Sequence, residues 1–199
     1  MRDIEKIDKI FKRYGGLMRT YQLSDERIYY ADIAYLLKEG LVEKVRTGYY
    51  QWVDNDNLSE VATVIRLFPD GVLCMDTALR YYGYSDRTPV EWHVAVNKYS
   101  NRTRFHIDYP FVKPYFVAPE LLELGLCEQN IDGNTVKMYD KERVICDCLR
   151  YRNKIDKELF NKAIQNYISD TSKSISKLME YASKLRCTAP AKNLIGVWL

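Results

Sequence analysis

The sequence predicts an α+β protein of two domains: a small N-terminal helical unit closed by a β ribbon, then a mixed α/β domain with a helical end. Three observations carry this prediction. At 199 residues and 47% hydrophobic, the chain is comfortable for two domains and rich enough in apolar side chains to pack both. A helical run over 30–39 stops at Gly40, which tolerates a left-handed C-cap, and two β-prone segments, 41–46 and 49–53, follow across a Thr47-Gly48 turn. Beyond that ribbon, strand-like runs and turns fill 91–139, and from Lys141 onward apolar residues recur at helical spacing.

The elements justify themselves in order. Ile4, Ile7, Ile10 and Phe11 recur at helical spacing, and Gly15-Gly16 ends that helix. Thr20 suits the cap of a second, short helix through Glu26, because a hydroxyl accepts an orphan amide hydrogen bond at a helix start. Leu23, Ile28, Ile33, Leu36 and Leu37 supply the apolar positions of a three-helix core. With Ile33, Ala34 and Leu37 turned inward, Tyr29, Asp32, Tyr35 and Lys38 fall on the outer face of the third helix.

Residues 1–54 thus have the outline of a winged helix-turn-helix, a DNA-binding arrangement in which the start of the second motif helix meets base edges and the flanks hold phosphates. On that geometry Tyr29, Tyr30 and Asp32 are candidates for the major groove, and Arg19, Arg27, Lys44 and Arg46 for phosphates. Residues 1–53 carry ten basic against eight acidic side chains, a modest net +2. Winged-helix units also serve as protein-interaction modules, and a weak charge excess leaves that reading open.

Asp54-Asn55-Asp56-Asn57 reads as a polar break, so the second domain is placed at 57–199. Ser59 begins a helix ended by Pro69-Asp70-Gly71, 72–74 is a short strand, and 76–82 is a helix stopped by Gly83. Strands are expected over 91–96, 103–109 and 115–117, then a short helix after Pro119. Asp132-Gly133 marks a hairpin whose return strand is 136–139. The tail, 193–199, is apolar enough to dock.

Charge is uneven along this domain. Residues 54–149 carry ten basic and fifteen acidic side chains, whereas 150–199 carry ten basic and four acidic. Lys173, Lys177 and Lys184 are therefore candidates for a second basic surface, facing nucleic acid or an acidic partner, against the plainer reading of a solvated helix face.

No apolar run approaches the roughly 20 residues that span a bilayer, and the N-terminus lacks the apolar region of a secretory signal. The five cysteines are odd in number and scattered, which suits reduced, packed thiols in the cytoplasm rather than a disulfide framework. His93 and His106 sit in expected strands as packing or edge residues. Cys146-Asp147-Cys148 lacks zinc-knuckle spacing, Glu91, His93 and Asp108 make a poor metal-nuclease set, and no glycine loop cradles a phosphate. The expectation is no metal, no cofactor, no membrane partner and no catalytic activity.

Three blocks carry a resemblance. They are Gly15-Gly16 through Gly40-Leu41-Val42 to Arg46-Thr47-Gly48-Tyr49-Tyr50; Pro69-Asp70-Gly71-Val72-Leu73-Cys74 with Thr77-Ala78-Leu79-Arg80-Tyr81-Tyr82-Gly83; and Val136-Lys137-Met138-Tyr139-Asp140-Lys141-Glu142-Arg143-Val144-Ile145-Cys146-Asp147. Their order and spacing resemble the AbiEi family, antitoxins of the AbiE-type (type IV) toxin–antitoxin and phage abortive-infection systems. The resemblance implies an N-terminal domain that represses its own operon by binding inverted repeats in the promoter. It also implies a C-terminal domain that counteracts a nucleotidyltransferase-like toxin without a stable complex. It brings no catalytic residues. The alternative is a DNA-binding regulator whose second domain senses a small ligand, which a pocket with convergent polar groups would favour.

Overall fold

A computed structural model of the chain describes residues 3–53 and 59–195. The polar break at 54–57 and residues 196–199 of the tail lie outside the described residues. The described residues form ten α-helices and two β-sheets, an α+β architecture. They fall into two compact units, Met1–Pro69 with Arg102–Pro110, and Asp70–Asn101 with Phe111–Leu199. The first unit therefore extends past the break to take in a further helix and a later segment.

The first unit runs α1 (Ile4–Arg13), β1 (Leu17–Arg19), α2 (Thr20–Asp25), α3 (Tyr30–Lys38), β2 (Val42–Arg46), β3 (Tyr49–Trp52) and α4 (Glu60–Leu67). Asp3 caps α1 by accepting the Lys6 N–H at 3.0 Å. Ile7, Ile10, Phe11, Met18, Leu23, Ile28, Ile33, Leu36, Val42 and Trp52 close one core, with the Phe11 and Trp52 rings 5.4 Å apart. The sheet has the order β1-β3-β2, antiparallel throughout. β1 is an addition to the expected ribbon. Three residues are too few for an alternation to show in sequence, and the strand exists because β3 offers its free edge.

Three local expectations change. Thr20 is the first residue of α2 rather than its cap; Arg19 holds the cap position, and the Gln22 side chain accepts its N–H at 2.8 Å. On α3, Ile33 and Leu36 are buried while Ala34 and Leu37 are exposed, so the helix is rolled and Tyr35 packs against the core. Segment 103–109 is not a strand. It holds a 3-10 helix, Arg102–Phe105, whose Phe105 ring stacks on Phe68 at 4.9 Å.

The second unit runs β4 (Val72–Leu73), α5 (Met75–Tyr81), β5 (Trp92–Asn97), β6 (Val112–Val117), α6 (Pro119–Leu122), β7 (Leu126–Ile131), β8 (Asn134–Tyr139), α7 (Lys141–Tyr151), α8 (Lys157–Ser169), α9 (Ile175–Lys184) and α10 (Thr188–Ile195). Its mixed sheet has the order β6-β5-β4-β8-β7, with β5–β6 and β4–β8 parallel and the other pairs antiparallel. Helix α7 is the hub: Glu142 through Leu149 are all buried.

Arg143 at its start is 0% exposed, so its charge must be answered inside the fold. It donates to Asp147 at 2.9 Å and to the carbonyls of Leu121 and Leu124 at 2.7 Å each, with its guanidinium 4.1 Å from the Tyr139 ring centroid. Gly125, at φ +77, has to be glycine, because a Cβ there would meet the Arg143 Cβ at 2.5 Å.

Candidate functional site

The turn between α2 and α3 is built by the backbone. Arg27 N–H bonds the Ser24 carbonyl at 2.9 Å and Ile28 N–H the Leu23 carbonyl at 2.8 Å, a paired closure that ends a helix with a left-handed residue. Arg27 fills that left-handed place at φ 60, where glycine is the usual occupant. Its side chain is thereby thrown into solvent. Buried Leu23 and Ile28 anchor the turn from below.

Directly after it, Tyr29 and Tyr30 begin α3 with 58% and 85% of their surface exposed, and Tyr21 on α2 is 57% exposed. Large aromatic side chains left this open are surface available to a partner. Asp32 acts locally, since its Oδ2 accepts the Tyr29 N–H at 3.1 Å and so fixes the helix start. The outward stripe of α3 is then Tyr30, Ala34, Leu37 and Lys38. Ala34 and Leu37 were missed in sequence because the stripe depends on which residues fill the core.

The ribbon places its two basic candidates differently. A bulge between Lys44 and Arg46 breaks the two-residue period, so Val45 turns inward and Lys44 stays exposed. Arg46 is turned into the unit. Its guanidinium donates to the carbonyls of Arg104 at 2.9 Å and Leu67 at 3.1 Å and lies 3.9 Å from the Tyr49 ring centroid. Burial pushes its pKa below the usual arginine value, and its Nε has no partner. Arg46 is therefore corrected from a phosphate contact to a tie that holds the end of α4.

Arg19 lies 5.1 Å over the same Tyr49 ring, half-buried beside the ribbon turn. Arg27, Lys38 and Lys44 are exposed with no acidic partner among the described residues.

The expected second basic surface is mostly neutralised where it stands. Lys177 pairs with Asp140 at 2.7 Å, which raises its pKa, and Lys184 pairs with Glu180 at 2.7 Å. Lys173 donates to the Asp170 carbonyl at 3.3 Å. The 136–147 block is similarly occupied: Asp140 caps α7 through the Arg143 N–H, and Glu142 accepts the Ser174 N–H at 2.8 Å. Its polar residues wire α7 to its neighbours, which accounts for so many charges in one short stretch.

Elsewhere in the second unit a cleft of about 610 Å³ opens beside β5 and β6. His93, on β5, is buried in its wall. Burial, and then the Lys113 charge, hold its pKa down at about 4, so the ring is neutral. Glu91 pairs with Lys113 at 3.4 Å, while Asp108 belongs to the first unit and His106 lies outside any strand. The five cysteines are free thiols, four of them buried. Among the described residues no group of His, Cys, Asp and Glu is placed to hold a metal ion, and no helix is long and apolar enough to cross a membrane.

The class defined to this point is an α+β protein with an aromatic, partly basic surface on one unit and a mixed polar and apolar cleft on the other. No protein-family model matches the chain, and no curated protein matches it significantly. Among solved structures it is similar to the RV2827C protein of Mycobacterium tuberculosis, with a TM-score of 0.67 at 12% identity, over 96% of this chain and 79% of that one. At that identity the likeness is one of fold alone.

Proposed function

We propose that the first unit is a winged helix-turn-helix that binds duplex DNA, and that the chain acts as an autorepressing antitoxin of a type IV toxin–antitoxin pair. The observation that carries the DNA reading is the start of α3. The order α1-β1-α2-α3-β2-β3 presents Tyr29, Tyr30 and Ala34 outward, with unpaired Arg27 and Lys44 on the α2–α3 turn and the ribbon. On this reading Tyr29 and Tyr30 meet base edges, and Arg27, Lys38, Lys44 and the exposed part of Arg19 hold phosphates. Asp32 positions Tyr29 instead of reading a base.

The antitoxin role rests on the resemblance of the three sequence blocks to the AbiEi family. Its toxin would be a nucleotidyltransferase-like protein encoded alongside, opposed without a stable complex. The test is a mobility-shift titration of the full chain on its own upstream region against random duplex, with toxin rescue scored in cells from independent promoters. Preference for upstream inverted repeats, lost in Tyr30→Ala while rescue persists, supports both halves. Equal affinity for all duplexes, or rescue lost together with DNA binding, overturns the division of labour. A ligand-sensing regulator is the second reading, favoured by the cleft of the second unit, whose lining includes both Asp76 and His93.

A further inference from the structure

The cleft beside β5 and β6 holds two polar groups that the fold leaves unspent. His93 is 3% exposed, and its Nδ1 accepts the Asp76 N–H at 3.3 Å and lies 3.2 Å from the Tyr115 hydroxyl. A neutral imidazole that accepts at Nδ1 carries its proton at Nε2. That Nε2–H has no hydrogen-bond partner among the described residues, and His93 lines the cleft. The Nε2–H opens on the cleft, where a bound acceptor could take it in place of water.

The second group is the Asp76 carboxylate. Its side chain is 29% exposed, and the nearest ionisable nitrogen is His93 Nδ1, 3.7 Å from Oδ1. It accepts no hydrogen bond among the described residues. Burial raises its pKa, the sign of a carboxylate short of donors. By contrast two of the basic residues of the lining are already answered, Lys113 by Glu91 at 3.4 Å and Arg87 by Asp156 at 3.3 Å and by Glu158, while Lys154 is exposed and lies 5.9 Å from the Tyr151 ring centroid. A small anion could pair with Lys154 but would gain nothing from the Asp76 carboxylate. A simple ammonium would satisfy Asp76 but leave Nε2–H unpaired.

The rest of the wall is aromatic. The Tyr115 ring meets Tyr151 edge-on, centroids 5.6 Å apart at 86°, and tilts against His93 at 5.3 Å. Two rings set at right angles offer one face to stack on and one edge to abut, which suits a flat ligand better than a branched one. The volume, about 610 Å³, lies within the range of small-molecule sites.

We infer that this cleft binds a planar nitrogen heterocycle of nucleobase size, its N–H donating to Asp76, its ring acceptor taking the His93 Nε2–H, and its face against Tyr115 and Tyr151. All of these groups belong to the second unit, so the cleft keeps its ligand chemistry whether or not the first unit binds DNA.

The test uses the full chain with adenosine, guanosine, cytidine and uridine as probes, and inorganic phosphate and putrescine as the anion and amine controls. Titration calorimetry measures affinity, and the histidine side-chain nitrogens are followed in 1H–15N spectra of the unaltered protein. At least one nucleoside should bind and move the His93 Nε2 resonance. His93→Asn keeps an acceptor where Nδ1 stood but removes the Nε2–H, so it should weaken that nucleoside about tenfold or more, as should Asp76→Asn. No binding by any nucleoside, binding of phosphate or putrescine alone, or a nucleoside that leaves the His93 Nε2 resonance unmoved would overturn the assignment. The resonance decides even if a variant fails to fold.

Discussion

Replacing Arg46 with Met separates an arginine that holds the fold from one that holds DNA. Met retains the aliphatic stem but removes two charge-assisted bonds, to Arg104 O at 2.9 Å and Leu67 O at 3.1 Å, and the stack 3.9 Å from the Tyr49 centroid. Such bonds contribute roughly 1.5–3 kcal/mol each, and a partly exposed cation–π contact about 0.5–1 kcal/mol. Against this, Met removes the cost of burying a guanidinium whose Nε is unpaired, and water reaches a half-buried site. The net loss works out at about 2–3 kcal/mol. With a urea m value of about 1.5–2 kcal/mol/M, the first unit's unfolding midpoint should fall by about 1–2 M.

DNA titrations across a salt series supply the other half of the experiment. Each phosphate contact contributes about −0.9 to the slope of log affinity against log salt. Arg46→Met should leave that slope unchanged wherever the protein is folded. Lys44→Met should flatten it by about one unit while leaving stability within about 0.5 kcal/mol. An unmoved midpoint together with a flattened slope in Arg46→Met would refute the argument and return Arg46 to the phosphates.

Four further outcomes are expected. Arg27→Gly relieves the left-handed strain and should raise stability by about 1 kcal/mol while weakening DNA binding, so a destabilised variant counts against the turn geometry. Neutralising Lys173, Lys177 and Lys184 together should leave the salt slope unchanged; a larger loss than from Lys44→Met would move the main DNA surface to the second unit. Arg143→Leu leaves the buried Asp147 carboxylate with Arg150 alone, at 3.2 Å, and strands two loop carbonyls, and should cost about 3–5 kcal/mol by calorimetric unfolding; a loss under about 1 kcal/mol would contradict the buried network. The fourth concerns pH. His93 has its pKa lowered from 6.5 to about 4, so it stays neutral in the fold while the unfolded chain takes up a proton. Its contribution, about 3 kcal/mol, is present above pH 6.5 and lost as pH falls toward 4. Asp76, with a raised pKa, binds its proton earlier in the folded state and offsets part of that loss. Subtracting the urea-unfolding pH profile of His93→Asn isolates the histidine; parallel profiles would show that His93 is not held neutral by burial.

What the sequence by itself determined was local. Helices α1 to α3, the ribbon after Gly40 and the Asp132-Gly133 hairpin were legible because stop residues, turn pairs and apolar spacing act within a few residues of themselves. The exposure of Tyr29, Tyr30 and Lys44 was legible for the same reason, since polar and aromatic side chains at an element's start or edge need no distant partner to stay exposed. The tertiary structure decided the roll of α3, the inward turn of Arg46, the return of 102–110 to the first unit and the pairing of Lys177. It also decided that His93 and Asp76 would meet in a cleft, seventeen residues apart along the chain. Each of these depends on a carbonyl, a carboxylate or a core position supplied from elsewhere in the chain. Hydrogen bonds and packing at close range know nothing of sequence separation, so no local pattern records them.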